Sequence, residues 1–267
     1  MHAALSTLIA RLSRPSLSEM EVIPWSCPVP SFGDLSCSTV STLGLNPSNR
    51  EFLDPAGNEL DGPCRRLHTL RSLGLSRWSD AGVQHLEMIL TSCREYFDKN
   101  PYDGWFKRLD YIVSGTEASY YGSSRKACHL DLIPYATARK WTELTQRQRS
   151  LLLAMAGDVL GLLLRDSAVR LLILNGNSVV LKFQDATGVK LDKRVMPDWC
   201  LPRRSLRGGV RGFAYRGVVR NVSGVNLKHE ILVLGFNHNI QSSFGVTTGV
   251  VAAIRKWIRE TASEVLP

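Results

Sequence analysis

A mostly parallel β-sheet of four short strands with helices on both faces, an α/β fold, is what this chain of 267 residues predicts. Three observations carry that expectation. Apolar, partly β-branched runs at 39–45, 127–133, 169–174 and 231–236 read as buried strands. Apolar residues at helical spacing fill the intervals between them, and strands alternating with helices favour parallel pairing. Each run also stops in a polar cluster, and ligands of open α/β sheets bind beyond the carboxyl ends of the strands.

In chain order, residues 1–12 predict an amphipathic N-terminal helix. Arg11 and Arg14 interrupt its apolar run and no clear cleavage site follows, which argues against a signal peptide. Pro15, Pro24, Pro28 and Pro30 make the stretch up to Ser38 an irregular lead-in to the first strand. That strand ends at Asn46-Pro47, since proline cannot continue a central ladder. Turn signals fill 51–62, and a short helix is expected within 65–73. Ser79-Asp80 is the expected cap of a helix carrying Val83, Leu86, Ile89, Leu90, Cys93, Tyr96 and Phe97 on one face. Another short helix is expected over 105–113. After the second strand, Thr142 or Thr145 opens a helix with Leu151, Leu152, Met155, Val159, Leu162 and Leu163 on its apolar side. A short helix over 176–183 follows the third strand. The closing helix is expected over 246–258, with Val250, Val251, Ile254, Trp257 and Ile258 facing inward. No repeat or low-complexity tract appears, so one domain over 1–267 is the simplest organisation.

The totals restrict what such a domain can bind. Hydrophobic residues make up 44% and charged residues 21%, an ordinary globular composition. A net charge of +9 favours a polyanionic partner, with nucleic acid ahead of a membrane surface if the charge is clustered in loops. It is clustered. Between 190 and 220 stand Lys190, Lys193, Arg194, Arg203, Arg204, Arg207, Arg211, Arg216 and Arg220, opposed by Asp192 and Asp198 alone. Gly208, Gly209 and Gly212 loosen this excursion, and Trp199, Phe213 and Tyr215 place rings among the arginines, which suits phosphate contact with base or sugar stacking. No run of about 18 apolar residues occurs, so no spanning helix is expected. The six cysteines never form Cys-x-x-Cys, and their scatter fits the reduced thiols of a cytoplasmic protein; no metal and no cofactor are expected.

The four strand ends would meet at one crevice. They bring Asn46-Pro47-Ser48-Asn49, then His129 and Asp131 on one side of alternate positions, then Asn175-Gly176-Asn177, then Asn237-His238-Asn239-Ile240-Gln241-Ser242-Ser243. Asn46 either caps its loop or orients a water. Asp131 either pairs with an arginine or reads a ligand. Ser242 and Ser243 suit a helix cap or a phosphate equally, because a helix N-terminus accepts both. His129 reads as structural.

These motifs, in this order over about 39–258, resemble the uracil-DNA glycosylase superfamily. Gly44-Leu45-Asn46-Pro47 is similar to the Gly-x-Asn-Pro-Gly of its mismatch-specific and single-strand-selective branches, and 235–243 to its late His-Pro-Ser-Pro motif. The strand through His129 and Asp131 is similar to the one that reads the flipped base. The resemblance implies a three-layer fold and monofunctional hydrolysis of an N-glycosidic bond in double- or single-stranded DNA, by a monomer. It implies Asn46 as the water-positioning residue and His238 as the group stabilising the departing base. Phe52 would stack on the base, with Asp131 and Asn175 holding it. Ser48, Ser242, Ser243, Arg203, Arg204, Arg207 and Arg211 would hold DNA, with Ile240 or Phe244 as the wedge. Ser48 replaces a glycine, both late prolines are missing, and the four cluster-binding cysteines of some branches are absent. Asp131 stands where the family has asparagine. A carboxylate accepts from the N4 amino group of cytosine, which points from uracil toward a modified cytosine such as glucosylated hydroxymethylcytosine in phage DNA. The rings of the basic excursion would then surround the 5-substituent. A conventional uracil or mismatch glycosylase, or an inactive DNA-binding module on the same fold, are the alternatives.

Overall fold

The four apolar runs form four strands of a six-stranded mixed sheet of order β2-β1-β3-β6-β5-β4, two strands wider than expected. The computed structural model describes residues 1–13, 15–99, 101–122, 126–203 and 206–266, with the backbone alone at 15, 16, 18, 203 and 206–208. β1 (Val40–Gly44), β2 (Ala127–Asp131) and β3 (Leu171–Asn175) are buried at every position, as strands covered on both faces must be. β1 pairs in parallel with β2 and β3, and β3 pairs in parallel with β6 (Val225–Phe236). The register sets Asp131 beside Gly44, and Asn175 beside Phe236. Leu43 pairs with Leu174, so all four strands end at one level.

The excursion over 190–220 is a correction to the expected loop. It is a long hairpin of β4 (Asp192–Arg203) and β5 (Leu206–Val222), antiparallel to each other and to β6. The β5–β6 turn holds Ser223 at φ 50° and Gly224 at φ 84°, the left-handed pair that matches strand twist in a tight hairpin. Because Ala214 pairs with Phe236, the residues of β5 from 206 to 213 run past the carboxyl end of β6. That is roughly 25 Å of extended chain beyond the sheet edge.

Helices flank the sheet, an arrangement compatible with three layers. α1 (His2–Arg11) packs on α2 (Val83–Arg94) and on α5 (Val159–Arg165). α3 (Asp103–Val113) packs on α7 (Thr248–Ala262), which also touches β4 and β6. α5 and α6 (Asn177–Thr187) lie against β5 and β6. The long helix expected after 142 divides at Gly157-Asp158 into α4 (Gln146–Ala156) and α5; Thr145 is its cap, accepting from the Gln148 N–H. The cap of α2 is Gly82 rather than Ser79-Asp80, and Thr247, not Ser242 or Ser243, caps α7. Within 65–73 only Arg71–Leu73 is helical, as one 3₁₀ turn. The lead-in is irregular as expected, yet it closes the β2 edge: Phe32 and His129 exchange both backbone hydrogen bonds at 2.9 Å. Among the described residues no helix is long and apolar enough to cross a membrane.

Candidate active site

A cleft of about 830 Å³ opens at the carboxyl edge of the parallel strands, a volume that suits a ligand of nucleoside size or larger. Asn46, Ser48, Asp131, Asn175, Ser242 and Ser243 all line it. Those strand ends converge as the register requires.

Asn46 is half-buried, and its orientation is decided by its neighbours. Its Nδ2 donates to the Pro47 carbonyl at 3.1 Å and to Thr137 Oγ1 at 3.0 Å. The Thr137 hydroxyl spends its own proton on the Arg139 carbonyl, so both partners only accept and the amide nitrogen must face them. Oδ1 has no protein donor among the described residues and is left to accept from water. Ser48 is exposed on the rim, where its Oγ accepts from the Arg50 N–H and caps a 3₁₀ turn over Asn49–Glu51.

Asp131 and His129 sit deeper, both side chains under 5% exposed, with His129 Nε2 3.5 Å from Asp131 Oδ1. His129 Nδ1 meets Thr42 Oγ1 at 2.7 Å, which meets the Tyr120 hydroxyl at 2.5 Å. The histidine is therefore fixed from behind and presents its other nitrogen to the carboxyl, on the side of the strand that alternate positions had indicated for both. Gly44 makes room for both. A Cβ there would lie 2.9 Å from His129 Nε2 and closer still to Asp131 Oδ1. Asp131 has no arginine partner among the described residues, so the ion-pair alternative is not what buries it.

Asn175 is buried and fully engaged. Its Nδ2 donates to Gln241 Oε1 at 2.6 Å and its Oδ1 accepts from the Ile240 N–H, while Gln241 Nε2 donates to the Trp105 carbonyl. It holds the loop after β6 against β3 and α3. Replacing Asn175 with alanine leaves the buried Ile240 N–H and the partly buried Gln241 side-chain carbonyl without this partner and is expected to cost about 1–3 kcal/mol in urea unfolding.

Three expected residues lie elsewhere. His238 is buried behind the cleft, its Nε2 2.8 Å from the Trp199 carbonyl; a carbonyl only accepts, so this nitrogen carries the hydrogen, and burial lowers the imidazole pKa. Phe52 is 1% exposed, with its ring against Trp25 rather than the cleft. Ile240 is equally buried and unavailable as a wedge, whereas Phe244 is 79% exposed. Trp199 and Tyr215 also belong to the core, Trp199 edge-on to Trp257. Rings at the cleft come instead from α3 and the loop after β2, through Trp105 and Trp141. Arg211 is exposed on the projecting part of the hairpin, which Asn237 ties to the cleft by accepting from Phe213 N–H and donating to the Arg211 carbonyl. Arg204 lies outside the described residues, as do the side chains of Arg203 and Arg207. Arg139 and Lys140 add cations to the lining of the cleft.

One residue without any motif also lines the cleft. Glu51 is 3% exposed, and Tyr96 OH donates to its Oε2 at 2.7 Å. Burial, with a smaller contribution from the charge of Asp131, pushes its carboxyl up to about 7 against the opposing pull of Tyr96 and Arg66. No protein-family model matches the chain, and no curated protein matches it either.

Proposed function

We propose that this chain is a monofunctional DNA glycosylase of the uracil-DNA glycosylase type, acting on a flipped, modified cytosine on a three-layer fold. The observation that carries this reading is the meeting of Asn46 and Asp131 in one cleft at the carboxyl edge of the sheet. Asn46 offers an unengaged acceptor for a water, and Asp131 a buried carboxyl for the N4 amino group of cytosine. A base inside duplex DNA can reach neither, so the nucleotide must be extruded. Trp105 takes the stacking part that Phe52 cannot fill, and Phe244 the wedge. Ser48, Ser242 and Ser243 line the cleft and would contact the phosphates of a flipped nucleotide, with Lys140 on the same lining and the exposed Arg211 on the hairpin as further cations. The cleft volume leaves space for a bulky 5-substituent beside the pyrimidine.

The test is abasic-site formation on oligonucleotides carrying uracil, thymine opposite guanine, cytosine, hydroxymethylcytosine or glucosylated hydroxymethylcytosine. Product from modified cytosine alone, lost in Asn46→Ala and Asp131→Ala, is the expected result. Product from uracil alone would retain the enzyme class and overturn the role of Asp131. DNA binding without product from any base would favour the inactive binding module.

A further inference from the structure

We propose that Glu51 is the acid that protonates the departing base, which makes excision of cytosine-type bases possible in this cleft. The inference rests on the glycosylase reading and extends it to a residue that no motif marked.

The chemistry creates the requirement. Breaking the C1′–N1 bond leaves its electron pair on the base. Uracil can carry that pair as an anion delocalised over two carbonyls. Cytosine has one carbonyl and an amino group, holds the charge less well, and leaves more readily once N3 or O2 has taken a proton. His238 does not reach the cleft and cannot meet that demand. Glu51 is on its wall.

Its surroundings favour a proton donor. The Tyr96 hydroxyl accepts from the Tyr102 N–H at 3.0 Å and donates to Glu51 Oε2, so a proton on this carboxyl resides on Oε1. The charged and titratable groups around it are Tyr96, Arg66 and Asp131, and burial outweighs the favourable ones. The charge of Asp131 adds a smaller push in the same direction as burial. The step balances as follows. The Oε1 proton passes to cytosine N3 or O2 while the C1′–N1 pair moves to the base, which leaves neutral. The water held by Asn46 Oδ1 adds to the oxocarbenium carbon C1′, and its proton returns to the Glu51 carboxylate. No other reagent is consumed.

Single-turnover excision over a pH series tests this on duplexes carrying hydroxymethylcytosine, glucosylated hydroxymethylcytosine or uracil. Glu51→Gln keeps the shape and the Tyr96 contact. It is expected to slow excision of the modified cytosine about 10²-fold, the usual worth of a positioned acid. Any uracil excision should change only a few-fold. The wild-type rate should fall above about pH 7, where Glu51 loses its proton, and the variant should lack that limb. Tyr96→Phe removes a donor that favours the carboxylate, and should move the limb to higher pH. Equal rates for wild type and Glu51→Gln at every pH would overturn the role of Glu51 while leaving the glycosylase standing. Wild-type protein that releases no base would overturn both.

Discussion

In the proposed glycosylase, Gly44→Ala is expected to reduce excision of every base by about 10³-fold while leaving the chain folded. The methyl group would press on Asp131 Oδ1 and His129 Nε2, the ends of two short side chains on the neighbouring strand. His129 is held from behind by Thr42 and Tyr120, and both side chains are closed in. A displacement of about 1 Å in a group that positions the substrate costs roughly 10² in rate, and here Asp131 is displaced beside the Asn46 loop. Overpacking of this kind costs about 1–3 kcal/mol, within the stability of an ordinary domain. Circular dichroism and urea unfolding would establish the fold, and turnover the site. Unchanged turnover in a folded variant would remove Asp131 from the proposed active centre.

Glu51→Gln should make the protein more stable than wild type, by an amount that depends on pH. In the folded chain this carboxyl titrates at about 7, against an ordinary value of 4.5. Below about pH 4.5 the folded and unfolded chains both hold the proton, and no difference arises from titration. Between 4.5 and 7 the folded chain keeps a proton that the unfolded chain has released, so wild-type stability falls as pH rises through that window. Above 7 the loss is complete, at ~3 kcal/mol for values two and a half pH units apart. Glutamine does not titrate. The difference between variant and wild type should therefore grow from pH 5 to pH 8 in parallel urea titrations, and a constant difference would show that Glu51 is not held neutral by the fold. The measurement needs no DNA, so it probes the environment of Glu51 separately from its chemistry.

The four parallel strands and the crevice at their end were legible because short, buried strands leave continuous apolar runs that polar clusters terminate. The β4–β5 hairpin was not. Its arginines, glycines and prolines mask the alternation, and the two register shifts in its pairing with β4 break the period that a reader would follow. The first half of β6 does alternate, with Val225, Leu227 and His229 half-buried between exposed Asn226, Lys228 and Glu230, yet it adjoins the basic stretch and reads with it as surface. Position within a motif proved a weak guide to which way a side chain turns: Phe52, His238 and Ile240 sit among polar neighbours and still face the core. Glu51 shows the reverse problem. A glutamate in a polar turn is ordinarily solvated, and its hydrogen-bond partner Tyr96 is brought in from a 3₁₀ turn after α2, far along the chain.

The level row formed by Asp131, Gly44, Asn175 and Phe236 distributes tasks among separate strands. In the proposed mechanism water delivery and proton supply both arise from the one turn after β1, whereas the choice of base depends on a single position on β2. Divergence at residue 131 could thus re-address the enzyme to a new lesion without rebuilding its hydrolytic machinery. Gly44 sets the boundary on that freedom, since any successor to Asp131 must fit the narrow gap between two adjacent backbones.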